Sequence, residues 1–416
     1  MACSLICLAL TATAPGREKS PQQKKPDAET SAASPANDAV QMQFAFGGNV
    51  AQVPAQIADR LALVPVRVNG AQPSWFALDT TRASSAIDDV RAVGIGLYSP
   101  SSDGGLPKHF SNVTLEFPGL KILLPSLALD SFGDFSARIG HTVQGVLGAD
   151  VLSHLVLKIN YQAQSVQFYD PKSFEYGGGG LRIPVQISAG VPAITGKVTV
   201  RHRGKFSGLL AIATAESEPM AFSMHFAAAH ALSSLPEKML PFPGVDAASD
   251  TDYNELLGRV QELQFGKVTF EDPIAIFPTK PAGGAEAVPA EFIGAIGGEI
   301  LSRFTVILNY PARVLILEPN KSFPNIFTAD MSGLTIIAVP PAFNKFEVAQ
   351  VARKSPAAAA GIAVGDTIEK IDENPASDYS LDDVRGLLRQ EGIAHKLSLL
   401  RNGKAIEVTL TLKPLV

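Results

Sequence analysis

Apolar and polar positions alternate along residues 64–79 (VPVRVNGAQPSWFALD). The alternation runs to Gly70, breaks in a turn, and resumes as an apolar strand that ends at Asp79, nine residues past the glycine. Residues 198–213 (VTVRHRGKFSGLLAIA) repeat the pattern: a strand reaches Gly204, and a second strand ends at Ala213, again nine residues on. Period-two alternation interrupted by a glycine-bearing turn predicts a β-hairpin in each place.

The repetition extends further. Residues 145–161 (GVLGADVLSHLVLKINY) and 294–310 (GAIGGEILSRFTVILNY) align without a gap, with identities at Gly145/Gly294, Gly148/Gly297, Leu152/Leu301, Ser153/Ser302, Asn160/Asn309 and Tyr161/Tyr310. A strand-like run and a turn follow each copy: 165–168 before Asp170-Pro171, and 314–317 before Pro319-Asn320. Tyr176-Gly177-Gly178-Gly179-Gly180 lies between the copies and reads as a flexible hinge. Self-similarity of this kind predicts a duplicated unit. The body is therefore expected to be mainly β, with two similar lobes over 41–175 and 181–325 and one short helix per lobe, beginning near Gly148 and Gly297.

Residues 331–416 follow a different pattern. Ser355-Pro356-Ala357-Ala358-Ala359-Ala360-Gly361 is a complete short helix: Ser caps the free N–H groups, Pro occupies the first turn and Gly ends it. Val364-Gly365-Asp366-Thr367-Ile368 turns into a strand that continues to Ile371. Ser380-Leu381-Asp382-Asp383 opens a second helix with a capping-box pattern, and Leu381, Val384, Leu387 and Leu388 share one of its faces. Two strands, 397–400 and 405–412, close the segment around Arg401-Asn402-Gly403-Lys404, whose Asn-Gly is a strong hairpin signal.

These residues carry two resemblances. A strand-turn-strand ending in Asp79-Thr80-Thr81, with a later Gly-apolar-apolar-Gly segment and a closing strand pair, resembles the retropepsin-like aspartic proteases. Two such lobes in tandem resemble the bilobal, pepsin-type arrangement, and the match covers about 41–320. Residues 331–416 resemble the circularly permuted, bacterial-type PDZ domain, a small β-barrel with two helices.

The first resemblance implies a pair of aspartates, one per lobe, sharing one proton because two adjacent carboxylates cannot both ionise. In that family each stands in an Asp-Thr/Ser-Gly motif. Lobe one keeps Asp79 and Thr80 but has Thr81 where the family has Gly; lobe two offers Ala213-Thr214-Ala215, so its aspartate is lost. Three alternatives follow. The lobes form a pseudoprotease that binds peptides without cutting them. Or Asp79 serves an active aspartic endopeptidase with a recruited acid, Glu216 or Glu218 being nearest, and the PDZ domain guides substrate selection. Or two chains bring their Asp79 side chains together. Arg82, close in sequence, is expected to favour the ionised form of Asp79. A purely structural Asp79, bonded to turn amides and Thr hydroxyls, is the bland alternative.

The second resemblance implies a groove in which a peptide adds as a strand between a sheet edge and the second helix, its carboxylate received by a Gly-containing loop. By position that loop is Ser332-Gly333-Leu334-Thr335 and the edge is 334–338. Leu334, Ile336, Leu381, Val384 and Leu388 are expected to line the apolar pocket, with Phe343 as a competitor for it. The implied partners are peptides or protein C-termini, and no cofactor is implied.

Composition narrows the remainder. A chain of 416 residues, 46% hydrophobic and 18% charged, has ample apolar surface for several cores. A net charge of -5 provides no electrostatic footprint for nucleic acid. Cys3 and Cys7 are the only cysteines, so the body holds no disulfide, thiolate metal site or cysteine nucleophile. Of the seven histidines only His225 and His230, five apart, approach a metal-ligand spacing, and no metal is expected. Residues 1–14 resemble the later part of a secretory signal, and residues 16–40, rich in Pro, Ser, Ala, Lys and Glu, read as a disordered tether. The segment 1–40 thus predicts an exported protein, periplasmic or envelope-associated, whose membrane contact is at most an N-terminal anchor.

Overall fold

The computed structural model describes residues 39–98, 107–235, 238–242, 254–280 and 288–416. The signal-like segment with Cys3 and Cys7, and nearly all of the tether, lie outside the described residues.

Each lobe is built on its sequence-predicted hairpin. In lobe 1 the strand Leu61–Val68 pairs with Ser74–Leu78, and in lobe 2 Val191–Val200 pairs with Gly204–Ile212. The second strand of each hairpin then pairs in parallel with the start of the repeated segment, Gly145–Leu147 in lobe 1 and Phe292–Ile296 in lobe 2. That strand is in turn antiparallel to a short one, Ala86–Asp88 or Met220–Phe222. Buried between neighbours on both sides, it leaves no room for a side chain at the repeated glycine. A Cβ on Gly145 would lie 2.4 Å from the Phe76 ring, and one on Gly294 would lie 2.1 Å from the Ala221 carbonyl oxygen. Close approach explains why both copies carry glycine there.

After each of these strands comes a one-turn helix, Ala149–Leu152 and Gly298–Leu301, as the sequence predicts. Then the two lobes join. The strands Val156–Asn160 and Phe304–Asn309 pair antiparallel with each other, Val156 opposite Asn309 and Asn160 opposite Thr305. Their hairpin partners, Ser165–Tyr169 and Val314–Pro319, flank them, and Val50–Pro54 and Leu181–Pro184 complete a six-stranded sheet. Its order is symmetric about the central pair, so each lobe contributes half. Leu157, Ile159, Val306 and Leu308 enter one continuous apolar core that runs through both lobes.

Two readings are corrected. Helix is more frequent than one per lobe: Asp89–Gly94 and Gly133–Ile139 stand in lobe 1 and Met224–Ala229 in lobe 2. Each is only six or seven residues, too short to show helical periodicity clearly. The glycine run is pinned rather than loose. The Tyr176 hydroxyl donates to Glu318 (2.7 Å) and accepts from the Gly180 N–H (2.7 Å), while Arg182 donates to the Tyr176 carbonyl and covers its ring. His230 packs against the rings of Phe206 and Phe226.

The C-terminal domain has its own sheet: Leu334–Ala338, Phe346–Val351, Thr367–Ile371, Ala394–Arg401 and Lys404–Thr411, with the two-residue strand Asn374–Pro375 at the side. Helix Pro356–Ala359 is capped by the Ser355 side chain, and helix Leu381–Leu387 by a full capping box between Ser380 and Asp383. Ile336, Phe346, Val348, Ile368, Val384 and Leu399 are among the residues of a core separate from that of the lobes.

Candidate functional site

The hairpins of the two lobes meet end to end, and the residue after each hairpin's last position forms the contact. Thr80 and Thr214 are buried. The Thr80 N–H donates to Thr214 Oγ1 and the Thr214 N–H donates to Thr80 Oγ1, both at 3.2 Å. Each hydroxyl then donates across the interface to a backbone carbonyl, Thr214 to Leu78 (2.6 Å) and Thr80 to Ile212. Donors and acceptors of this threonine pair are reciprocally satisfied.

This reciprocity fixes which residues correspond. The Asp79 N–H donates to Leu147 O at 3.0 Å, and the Ala213 N–H donates to Ile296 O at 2.9 Å. Ala213 therefore occupies, backbone atom for backbone atom, the position across the interface that Asp79 occupies in lobe 1. Asp79 itself accepts on Oδ1 from the Thr81 N–H (2.9 Å) and the Thr81 hydroxyl (2.7 Å). Thr81, which stands where the resembled family has Gly, folds its hydroxyl back on the carboxylate. Arg82 does not face Asp79: its guanidinium pairs with Asp130 at 2.6 Å and donates to Ser84 O.

Neither glutamate considered as a replacement acid bonds to Asp79. Glu216 Oε1 accepts from the N–H groups of Ser217 (3.1 Å) and Glu218 (3.4 Å). Burial raises its pKa, Arg138 opposing. Burial pushes Glu218 up to about 7 against the pull of Arg60. A third acid, Glu255 on strand Glu255–Arg259, is likewise pushed up to about 7, by burial and then by the charge of Glu216. Sequence reasoning missed it because nothing local marks it; only folding brings it toward Glu216. Among the described residues no group of three or more His, Cys, Asp or Glu converges as a metal site.

In the C-terminal domain the predicted loop and pocket come together. Ile336, Leu381, Val384 and Leu388 are buried in its core, Leu334 packs at the edge, and Thr335 pairs with Gln350 in the sheet. Phe343 packs against the same core. The loop's donors, however, are already used. Asp330 accepts from the N–H of Ser332 (2.9 Å), the N–H of Gly333 (2.6 Å) and the Ser332 hydroxyl, and the Leu334 N–H donates to Ser332 Oγ. Burial raises the Asp330 pKa while these hydrogen bonds lower it.

Both walls of the predicted groove also touch lobe 1. Helix Gly133–Ile139 lies against strand Leu334–Ala338. Gly140, in the left-handed region at φ 71°, ends that helix so close to Leu381 that a Cβ would come within 2.7 Å of the leucine's own. Arg385 donates to Arg138 O at 2.6 Å and pairs with Asp59 at 3.0 Å, and the Asp59 N–H donates to Asp382 at 2.9 Å. Burial opposes ionisation of Asp59, but Arg385 and Arg60 hold its pKa below the ordinary value.

Residues 347–401 match the family model described as the PDZ domain. The edge strand Leu334–Ala338 precedes the matched residues. No curated protein matches the chain. Among solved structures, the aspartic proteinase from Irpex lacteus aligns with 66% of this chain and 99% of its own, at 13% identity and a TM-score of 0.39. The photosystem II D1 C-terminal processing protease aligns over 20% of this chain and 23% of its own, at 26% identity and a TM-score of 0.19. The chain thus spans less than a quarter of that second protein. Its C-terminal segment is a PDZ domain, carried behind two pseudo-symmetric β lobes arranged as the duplicated hairpin and Gly-apolar-apolar-Gly motifs imply.

Proposed function

We propose that the protein is a catalytically degenerate, aspartic-protease-like PDZ protein that acts by binding peptide or protein segments. One observation carries this reading: Ala213 stands where the second carboxylate is required, held by the same backbone hydrogen bond that holds Asp79. General acid–base hydrolysis of a peptide needs one group to take the water's proton and another to protonate the carbonyl or leaving amine. Asp79 alone cannot supply both, and its Oδ1 is engaged by Thr81. The Glu216 carboxylate accepts from the Ser217 and Glu218 N–H groups rather than from the Asp79 turn. The peptide partner of the PDZ groove gains access by displacing lobe 1 from strand Leu334–Ala338 and helix Leu381–Leu387.

The test is incubation of the purified chain with an unfolded polypeptide between about pH 3 and 7. No cleavage is expected from wild type or from Asp79→Asn. Cleavage by wild type that disappears in Asp79→Asn would overturn the reading in favour of an active endopeptidase. In the same assay, the double variant Ala213→Asp with Thr81→Gly rebuilds the pair and is expected to gain acid-dependent cleavage.

A further inference from the structure

The loop that opens the PDZ domain holds a carboxylate of its own. Asp330 stands just before it, and one of its oxygens accepts from the N–H groups of Ser332 (2.9 Å) and Gly333 (2.6 Å) and from the Ser332 hydroxyl (2.8 Å). The Leu334 N–H donates to Ser332 Oγ at 3.0 Å. Three of the four N–H groups in Ser332-Gly333-Leu334-Thr335 are therefore bonded locally. The carbonyls are used as well: the Ala357 N–H donates to Ser332 O (3.0 Å) and the Ala352 N–H to Gly333 O (2.8 Å). Ser332 is fully buried, and a Cβ on Gly333 would lie 2.3 Å from that of Ser355, so the loop has no room to turn its amides elsewhere. Arg389 supplies a favourable charge to Asp330. A peptide's terminal carboxylate arriving here would find no free pair of donors and would meet Asp330, and two carboxylates in one site oppose each other's ionisation.

A second observation concerns what already lies on the groove. Helix Gly133–Ile139 packs on the edge strand Leu334–Ala338, and Gly140 abuts Leu381. Arg385, on helix Leu381–Leu387, donates to the Arg138 carbonyl at 2.6 Å. That carbonyl belongs to the middle of a chain, which enters the contact from Phe132 and leaves toward His141. The groove thus holds an internal segment through a main-chain carbonyl and apolar contact, with no chain end involved.

We infer that the PDZ groove selects internal segments of a polypeptide over free C-termini, and that Asp330 is the residue that sets this choice. The inference rests on the peptide-binding reading above and names its ligand class. Asp330 takes the place of a ligand carboxylate in the loop, so affinity comes from backbone pairing along the edge strand and from apolar side chains in the groove. Segment 133–140 of lobe 1 is the resident occupant, and a partner's internal segment replaces it.

The experiment uses the full chain and a set of peptides spanning unfolded β-casein, each synthesised both as the C-terminal acid and as the C-terminal amide. Gly140→Ala, which loosens the resident segment and leaves every groove residue in place, is titrated beside wild type by fluorescence anisotropy. Peptides that bind are expected to do so with affinities equal within about threefold in the two forms. A preference of about tenfold or more for the acid, the gain expected from charge-assisted hydrogen bonds to a carboxylate, overturns the inference while leaving peptide binding in place. Binding of neither form by either protein removes the peptide-binding reading itself, and the inference with it. Asp330→Ala frees two loop amides and is expected to acquire an acid preference of about tenfold. Equal affinities in that variant, once circular dichroism shows it folded, overturn the role of Asp330. Should it fail to fold, hydrogen exchange of wild type decides: the amides of 332–334 are expected to respond alike to both peptide forms, and extra protection by the acid alone overturns the inference.

Discussion

At the scale of single residues, the lobe interface depends on two hydroxyls. Thr80→Val keeps the volume but leaves the Thr214 N–H and the Ile212 carbonyl without their buried partner. The expected loss is about 2–4 kcal/mol, measured by denaturant unfolding. Thr80→Val with Thr214→Val together is expected to cost less than the sum, because each single change already disrupts the shared network. Glu218 supplies a pH effect. Its folded-state pKa, about 7, lies above the ordinary 4.5, so the folded protein binds the extra proton between these values. Its contribution is full below about 4.5 and is lost as pH rises through about 7. Glu218→Gln is expected to flatten that decline, gaining about 1–2 kcal/mol at pH 8 after allowance for solvent screening; unchanged pH dependence of the melting temperature would show that Glu218 does not cause it. The threonines and the Asp79/Ala213 asymmetry were legible in sequence because the duplicated spacing puts them in register. The engagement of Arg82 with Asp130 was not, since Asp130 lies far along the chain.

At the scale of elements, the short helix Gly133–Ile139 shapes the PDZ groove although it belongs to lobe 1. Its buried positions, Phe132, Ser136 and Ile139, do follow helical spacing, but one is a serine, which dilutes the apolar signal. The PDZ elements were read more completely, because their caps are local: Ser355 and the Ser380/Asp383 box lie beside the helices they start. The strand Phe346–Val351, which the sequence reading leaves unnamed, pairs with both Leu334–Ala338 and Thr367–Ile371. Docking itself is invisible to local pattern, for it joins Asp59 to residues 382 and 385. Gly140→Ala adds a methyl against Leu381 at a left-handed position. It is expected to weaken docking by about 1–3 kcal/mol, the combined penalty of overpacking and backbone strain. Hydrogen exchange checks this: helices Gly133–Ile139 and Leu381–Leu387 should lose protection together, whereas a loss confined to the first would place the damage inside lobe 1.

At the scale of the whole molecule, the lobes and the PDZ domain differ in how they hold together. One apolar core runs through both lobes and a second fills the PDZ domain. The contact between them is rich in charged groups around Asp59, Asp382 and Arg385. Urea unfolding is therefore expected to show the lobes melting as one unit and the PDZ domain as another, with Arg385→Ala bringing domain separation to lower denaturant; a single coincident transition by lobe and PDZ probes would contradict this. The shared six-stranded sheet has one more consequence. Its central pairing, Val156 opposite Asn309, joins strands from different halves of the sequence, and the only covalent link between those halves passes through the glycine run after Tyr176. Cleaving that link would sever the polypeptide without opening the sheet. The products would persist as a noncovalent heterodimer, and separately expressed halves should find each other in the manner of complementing fragments.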